Sequence, residues 1–471
     1  MEDPSWTSLL PPLVAILMAL WTKQVYPSLF AGIWLGWTVI DAGNAITGLR
    51  DAIQACIDVF KSEDNTKVIA FSAAVGALLA LTQRSGGVAG FIDWITERGY
   101  VGSARGAQRL ATAIGCCIFV ESNITCLVTG AIARPLFDRF RLSREKLAYV
   151  CDSTSAPICM LIPMNGWGAY VIALLASQNV ASPVNVLLLA IPLNFYSLLA
   201  VGYVVYVAIS GSDWGPMAEA ERRARETGKV IRDGAAPLVS TEVLSLPPKP
   251  GLTPRALNML VPLGVMVVMM PVGLWITGEG NLMAGSGATA VLWAVLSAIA
   301  IAGSMYWWQR LFGFGELTEL FLKGVGGLMP LALLMMFAFA LGATCLELGT
   351  GRYVAGVAEG ILSPAVVPAV LFLLSGFIAF STGTSWGTFA IMSPIAVPLA
   401  DLLGLHVPLA VAAVLSGGVF GDHCSPISDT TIISSMAAGS DHIDHVRTQL
   451  PYALMVAVLS FLMFLLFGVI L

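Results

Sequence analysis

Charge is what this chain has least of. Only 11% of its 471 residues are Asp, Glu, Lys or Arg, where a soluble globular protein carries about 25%. A soluble enzyme, a disordered segment and a nucleic-acid binder all need more polar surface than that. The formal net charge of -5 is too small to select an acidic or basic partner. The sequence has no basic stretch before its first apolar run, so a cleaved signal peptide is not expected. No Gly-x-x-x-x-Gly-Lys-Ser/Thr loop occurs, which argues against an ATP-driven pump within this chain. The eight cysteines have no metal-ligand spacing, and most lie inside apolar runs, so they read as buried free thiols.

What is present is apolar length. Mean hydropathy is +0.82 and 57% of residues are hydrophobic, which defines an integral membrane protein with many spans. The runs are too long and continuous for a barrel, so helices are expected. Plain runs lie near 6–22, 25–43, 66–83, 184–210, 255–277, 283–306, 328–348 and 450–471. Four more, near 105–137, 145–176, 364–400 and 407–438, are interrupted by Ser, Thr, Asn, Gly, Pro or an acid. Segments 44–64 and 304–323 read as short amphipathic connectors. The stretch 211–254 is hydrophilic and ends in Pro247-Pro248-Lys249-Pro250-Gly251, a linker composition.

That linker divides the chain into similar halves, 1–210 and 255–471. Gly76-Ala77 and Val88-Ala89-Gly90 recur 266 residues on as Gly342-Ala343 and Val354-Ala355-Gly356, and the interrupted segments recur at similar spacing. Nine Lys or Arg lie in 84–146, but only Arg352 lies in 349–410. Cytoplasmic loops collect basic residues, so equivalent loops face opposite sides and the repeat is expected to be inverted. The reading that closes has both termini outside and 211–254 inside, with about ten crossings. The segments 105–137 and 364–400 then enter as re-entrant hairpins from opposite sides.

The interrupted segments carry the chemistry. The first hairpin has Glu121-Ser122-Asn123 near its tip, and the second has Thr382-Gly383-Thr384-Ser385-Trp386. The broken spans carry Asp152-Ser153-Thr154 with Asn165-Gly166-Trp167, and Asp422-His423-Cys424-Ser425 with Ser428-Asp429-Thr430. Unwound backbone at membrane depth is tolerated where it lines a wet cavity. Freed carbonyls, hydroxyls and a carboxylate make a hard-oxygen cage for a cation such as Na⁺. A charge at mid-membrane costs roughly 2.5–3.5 kcal/mol even on a lenient scale. Asp152, Asp422, Asp429 and Glu121 have no basic residue in their own segments, so each can hold a proton or a cation.

Asp152 and Asp422 are expected at corresponding breaks, and Asp429 two turns beyond Asp422. The competing reading for Asp152 and Asp422 is helix capping, and for Glu121 it is capping of the hairpin tip. Asn123, Ser153, Thr154, Asn165, Thr382, Thr384, Ser385, Ser425, Ser428 and Thr430 are the candidate oxygen donors. His423 could relay protons or simply pack. Trp167 and Trp386 could line an organic-solute site, although packing beside glycine competes. Glu347 and Asp41 fall at span ends, where an interfacial role is expected. His442 and His445 lack zinc spacing and follow a span end, so a polar turn is expected there.

The run from Gly421 through Thr431, continuing from Asp441 to Tyr452, resembles the NhaC family of Na⁺/H⁺ antiporters. So do Thr382–Thr388, Arg134-Pro135 and Ser143–Tyr149 with Asp152-Ser153-Thr154. The resemblance implies inverted repeats, two hairpins, a homodimer in a bacterial inner membrane, and an elevator-like transport domain moving against a scaffold. It implies Na⁺ and H⁺ as the moving ions, no cofactor and no enzymatic activity. The chain departs from the family pattern where Ser122 follows Glu121 and where Asn165 stands in place of a more usual Ser. Two alternatives remain open: a coupled transporter of a small organic solute (organic acid, amino acid or organic cation), and a channel.

Overall fold

The computed structural model describes residues 5–22, 24–96, 102–119, 122–237, 246–281, 285–350, 353, 363–426 and 428–471. Glu121, and the side chain of Asp429, lie outside the described residues. Among the described residues there are helices and no strand, as the scarcity of backbone partners in a bilayer requires. In chain order the α-helices are α1 Leu10–Thr22, α2 Val25–Ile40, α3 Ala45–Asp58, α4 Glu63–Arg84, α5 Gly87–Thr96, α6 Ala104–Cys117 and α7 Ser122–Arg139. They continue as α8 Arg144–Ser153, α9 Ala156–Leu161, α10 Gly166–Ser177, α11 Pro183–Ala190, α12 Phe195–Ser210 and α13 Gly215–Thr227. The second half holds α14 Leu257–Thr277, α15 Gly287–Trp308, α16 Phe314–Glu347, α17 Val367–Thr382, α18 Ser385–Leu402, α19 Val407–Cys424, α20 Asp429–Ala438 and α21 His442–Ile470.

Among the described residues, eight helices are long and apolar enough to cross a membrane. A ninth span follows if the bent pair 144–161 and 166–177, which meet at 45°, counts as one. The protein is therefore a polytopic helical membrane protein. Four expected segments differ. The apolar runs 6–22 and 25–43 form helices of only 13 and 16 residues, which are not among the eight. The run 184–210 is cut by a 3-10 turn at Ile191–Leu193, because Pro192 cannot continue a helical ladder and Asn194 caps the next helix through Ser197 N. The expected connector 304–323 does not exist as a unit: nothing breaks the chain after Gly313, and α16 runs 34 residues from Phe314.

All four interrupted segments are helix–break–helix. Small polar residues set where three of these helices start. Ser103 Oγ accepts from Gly106 N at the start of α6, Ser143 Oγ from Lys146 N at the start of α8, and Thr384 Oγ1 from Gly387 N at the start of α18. Gly383 closes α17 at φ +68°, a conformation a side chain rarely adopts. Four helices, opening at Ala104, Ser122, Arg144 and Gly166, have counterparts opening 263 residues later at Val367, Ser385, Val407 and Asp429. In that register Asp152 stands opposite Leu415, and Asp422 opposite Cys159. The two aspartates are thus not equivalent, contrary to the sequence expectation. The first half has an extra break at Thr154-Ser155, and Asp152 lies before it.

Packing is close where glycines face each other. α4 crosses α16 at Gly76 and Gly324, and a Cβ built on Gly76 would lie 2.1 Å from Gly324 O. α19 crosses α17 the same way, with a Cβ on Gly421 falling 2.2 Å from Gly376 O. These contacts hold the second broken helix beside the second hairpin.

The segment from 211 to 237 is not a loose linker. α13 docks on α8 and α21 through charges paired as they were buried. Lys146, 1% exposed, sits 2.7 Å from Asp213 and 3.9 Å from Glu221. Arg223 meets Glu145 at 2.9 Å, and Arg232 meets Asp444 at 3.0 Å.

Candidate functional site

Both hairpin tips and both breaks meet around one cavity of about 240 Å³. The first hairpin supplies Ser122 and Asn123, and the second supplies Thr384, Ser385 and Trp386. Gly166 and Trp167 enter from the start of α10, and Asp422 and Thr430 from either side of the second break. Faces of α2, α4 and α16 close the far wall. Among the described residues that line it, Asp422 is the only charged one.

Asp422 is 1% exposed and lies in the last turn of α19, three residues before the break. Its carboxylate accepts from Ser428 Oγ at 2.8 Å on Oδ1, and on Oδ2 from Thr430 Oγ1 at 3.2 Å and Ser385 Oγ at 3.5 Å. Three hydroxyls from two segments, the start of α20 and the start of α18, thus converge on one carboxylate. Asn123 Oδ1 is buried with no hydrogen-bond partner among the described residues. An orphaned amide oxygen beside a carboxylate and hydroxyls suits a hard cation, which takes oxygen donors of this kind.

Asp152 is also 1% exposed but does not line the cavity. Its Oδ2 accepts from Gln449 Nε2 at 2.7 Å and lies 3.8 Å from His445 Nε2. Its neighbours turn away as well. Ser153 Oγ pairs with His423 Nε2 at 3.0 Å, and Thr154 Oγ1 donates to Val150 O at 2.7 Å. The other ring nitrogen of His423 faces Tyr196 OH at 2.8 Å, so both nitrogens have partners away from the cavity.

Asn165 serves the backbone. Its Oδ1 caps α10 by accepting from Trp167 N and Gly168 N at 2.9 and 3.1 Å. Its Nδ2 lies within 2.8 Å of the carbonyls of Phe119, Cys159 and Ile162. One side chain thus ties the first hairpin to both sides of the first break. Ser428 stands at the matching position in the second half and turns to Asp422 instead. Ser425 Oγ donates to Phe380 O at 2.6 Å, joining the second break to α17, and Thr382 Oγ1 bonds back to Ile378 O within that helix.

Trp167 and Trp386 both line the cavity, with ring centroids 4.9 Å apart. Tyr170 stacks on Trp386 at 4.7 Å and donates its hydroxyl to Trp386 O at 2.9 Å. The pair is held as a wall from behind.

Sequence reasoning did not single out Gln449 or Ser435, and it read His442 and His445 as a polar turn. These residues fall at 442, 445 and 449, one stripe of α21, with Ser435 facing them from α20. That i, i+3, i+7 spacing of polar residues inside an apolar helix was the available signal.

The family model for the Na⁺/H⁺ antiporter family matches residues 176–469. An uncharacterized protein of Haemophilus influenzae is 32% identical over 96% of this chain and 88% of its own length. The arginine/ornithine antiporter ArcD of Halobacterium salinarum is 30% identical over 44% of this chain and 41% of its own. Among solved structures, the YdaH transporter of Alcanivorax borkumensis superposes with a TM-score of 0.56 at 14% identity, covering 89% of this chain and 88% of that one, a likeness of fold.

Proposed function

The chain belongs to the Na⁺/H⁺ antiporter family, a family of transporters and not of enzymes, and on that premise we propose that it exchanges Na⁺, or Li⁺, for H⁺ by alternating access across the bacterial inner membrane. The observation that carries this reading is Asp422. It is a buried carboxylate facing a cavity, ringed by hydroxyls, with an orphaned amide oxygen nearby and no described cationic side chain in the wall. Burial without a cation favours the protonated acid, and a bound Na⁺ favours the carboxylate. One site that holds either ion, but not both, is the simplest exchanger. Glu121 and Asp429 belong to the same reading as further carboxylates near it.

The halves on either side of 211–254 supply the alternation in this proposal: inverted repeats, both termini outside, and hairpins that gate from opposite sides. A homodimeric elevator, in which the hairpins and broken helices move together against the remaining helices, fits the same plan. The test is transport by the purified protein in proteoliposomes under an imposed pH gradient. Na⁺ or Li⁺ should collapse the gradient in wild type and not in Asp422→Asn. Unchanged exchange in that variant would sink the assignment.

A second reading rests on the wall. About 240 Å³ with Trp167 and Trp386 at one side exceeds what a bare cation needs, since one water occupies about 30 Å³ in the liquid. A small organic cation would meet the carboxylate with its charge and the rings with its body. Counterflow with a panel of amino acids, organic acids and amines separates the two readings.

A further inference from the structure

We propose that the transported proton has its own site, the Asp152–His445 pair, reached from the half-buried His442 through the hydroxyl of Ser435, and that Asp422 is the cation site. This rests on the antiport reading and replaces its single shared site with two.

Counting hydrogens around Gln449 and Pro426 fixes the tautomers of both histidines. Gln449 Nε2 faces two acceptors, Asp152 Oδ2 at 2.7 Å and the backbone oxygen of His423, so its amide orientation is fixed. Gln449 Oε1 therefore accepts, and His445 Nε2, 2.9 Å away, must carry a hydrogen. His442 Nε2 lies 2.6 Å from Pro426 O and must carry one too. Ser435 Oγ is then within hydrogen-bond distance of three groups: Thr431 O at 2.8 Å, His445 Nδ1 at 2.8 Å and His442 Nδ1 at 3.0 Å.

A hydroxyl has one hydrogen. With both imidazoles neutral, Ser435 can donate to only one of the three. Each proton added to an imidazole turns an Nδ1 from acceptor to donor and completes another bond. The cluster thus has room for added protons, and Ser435 can pass one from one Nδ1 to the other. A proton arriving at His445 Nδ1 frees the Nε2 hydrogen, held on Gln449 Oε1, to pass to Asp152 Oδ2 across a 3.8 Å separation that one water or a side-chain rotation bridges, with Gln449 acting as the positioning residue. The balance is one proton taken up and one carboxylate neutralised.

Burial makes that charge change consequential, because Asp152 and His445 are at most 1% exposed. The titratable groups that face the pair are Cys151 from α8, Tyr196 from α12, His423 and Cys424 from α19, and His442 from α21. The described part of α20 contributes the Ser435 hydroxyl. No described Lys or Arg is paired with Asp152; Arg232 pairs with Asp444, beside His445. The entrance at His442 adjoins Asp441, to which the backbone of Ala236 is tied, so the relay opens beside the 211–237 segment.

Infrared difference spectroscopy of the full-length protein, titrated with acid, tests the site without reference to substrate. The difference between wild type and Asp152→Asn should contain a carboxylic-acid C=O component that grows on acidification over the background of the chain's other acids, and the difference between Asp422→Asn and the double variant Asp152→Asn/Asp422→Asn should contain it too. His445→Gln should move the midpoint of that component by about one pH unit or more, the size of a single close charge interaction. A component missing from either difference, or unmoved in His445→Gln, would overturn the proposal.

In vesicles, Ser435→Ala should slow cation-driven proton flux about tenfold or more, as loss of a positioned proton carrier does, while Na⁺ affinity stays unchanged. Equal loss of Na⁺ affinity would count against separate sites. Wild-type vesicles in which no cation gradient moves protons would defeat the antiport reading, and the infrared titration would still decide the site on its own.

Discussion

In the first half, the carboxylate of the broken helix lies ten residues before the break at 162–165, and a glutamine and a histidine from α21 cover it. In the second half, the carboxylate lies three residues before the break at 425–428 and faces the cavity among hydroxyls. The helices share the spacing of their starts. They differ in where one aspartate sits and what the cap residue does. Asn165 and Ser428 start matching half-helices. A long amide can bridge several carbonyls, and it pins the first break shut. A short hydroxyl reaches only its neighbour, and it dresses the carboxylate. The first break is therefore built as structure and the second as a site, so one scaffold can hold still on one side and bind on the other.

The sharpest way to break this contrast is to neutralise each aspartate and measure cation binding directly. Asp422→Asn should weaken Na⁺ binding about 100-fold or more, equivalent to roughly 2.7 kcal/mol. Asp152→Asn should leave it within about threefold, well under 1 kcal/mol. Isothermal titration in detergent reads both. Equal losses would mean that the two carboxylates form one site.

The caps come next. Asn165→Ala removes bonds to five backbone groups and should lower unfolding stability by about 1–3 kcal/mol, from a lost cap plus buried carbonyls left without a donor. Ser428→Ala should cost little stability and weaken cation affinity about tenfold or more, since one hydrogen bond to a charged group is worth about 1.5–3 kcal/mol. Thermal unfolding beside titration separates the two. If Ser428→Ala is the less stable protein and binds normally, the assignment of roles is reversed.

Trp386→Ala sharpens the comparison from the cavity wall. Loss of the ring should leave Na⁺ exchange within a few-fold, and should lower organic-cation counterflow about 5–30-fold if such a solute is carried, as a desolvated cation–π contact of about 1–2 kcal/mol predicts. Parallel loss of both activities would show that the ring only packs.

Much of this was legible in the sequence. Apolar runs locate the spans, and Ser, Thr, Gly and Pro clusters locate all four breaks, because a bilayer forbids unwound backbone without a polar lining. Thr384, Ser385, Asn123 and Thr430 were read as site residues and do line the cavity. The roles of Asn165, Ser153 and Thr154 were not legible. A polar side chain at a break can face a ligand or its own backbone, and composition does not say which. The spacing of Gly-Ala pairs suggested an offset of 266 where helix starts recur at 263; Asp152 and Asp422 lie 270 apart and match neither, and only the loose pairing of whole interrupted segments made them look equivalent. The docking of α13 was hidden because its partners, Glu145, Lys146 and Asp444, are far away in sequence.

The smallest effect concerns that docked segment, and it contrasts an exposed acid with the buried pair. Burial alone would push the Asp441 carboxyl up. The backbone N–H groups of Ala236, Asp444 and Ile443, and the Arg232 guanidinium, outweigh that and hold it below its ordinary value of 3.8. A carboxyl lowered on folding contributes stability that is fully present above the unfolded value and is lost as pH falls through the folded one. Docking of residues 230–237 should therefore stay constant from neutral pH down to about pH 4–5, since the unfolded acid titrates near 3.9. It should loosen only in stronger acid. Amide exchange at Ala236, followed against pH, reads this directly. A change near neutral pH would mean that the segment answers to the histidine cluster beside it and not to Asp441.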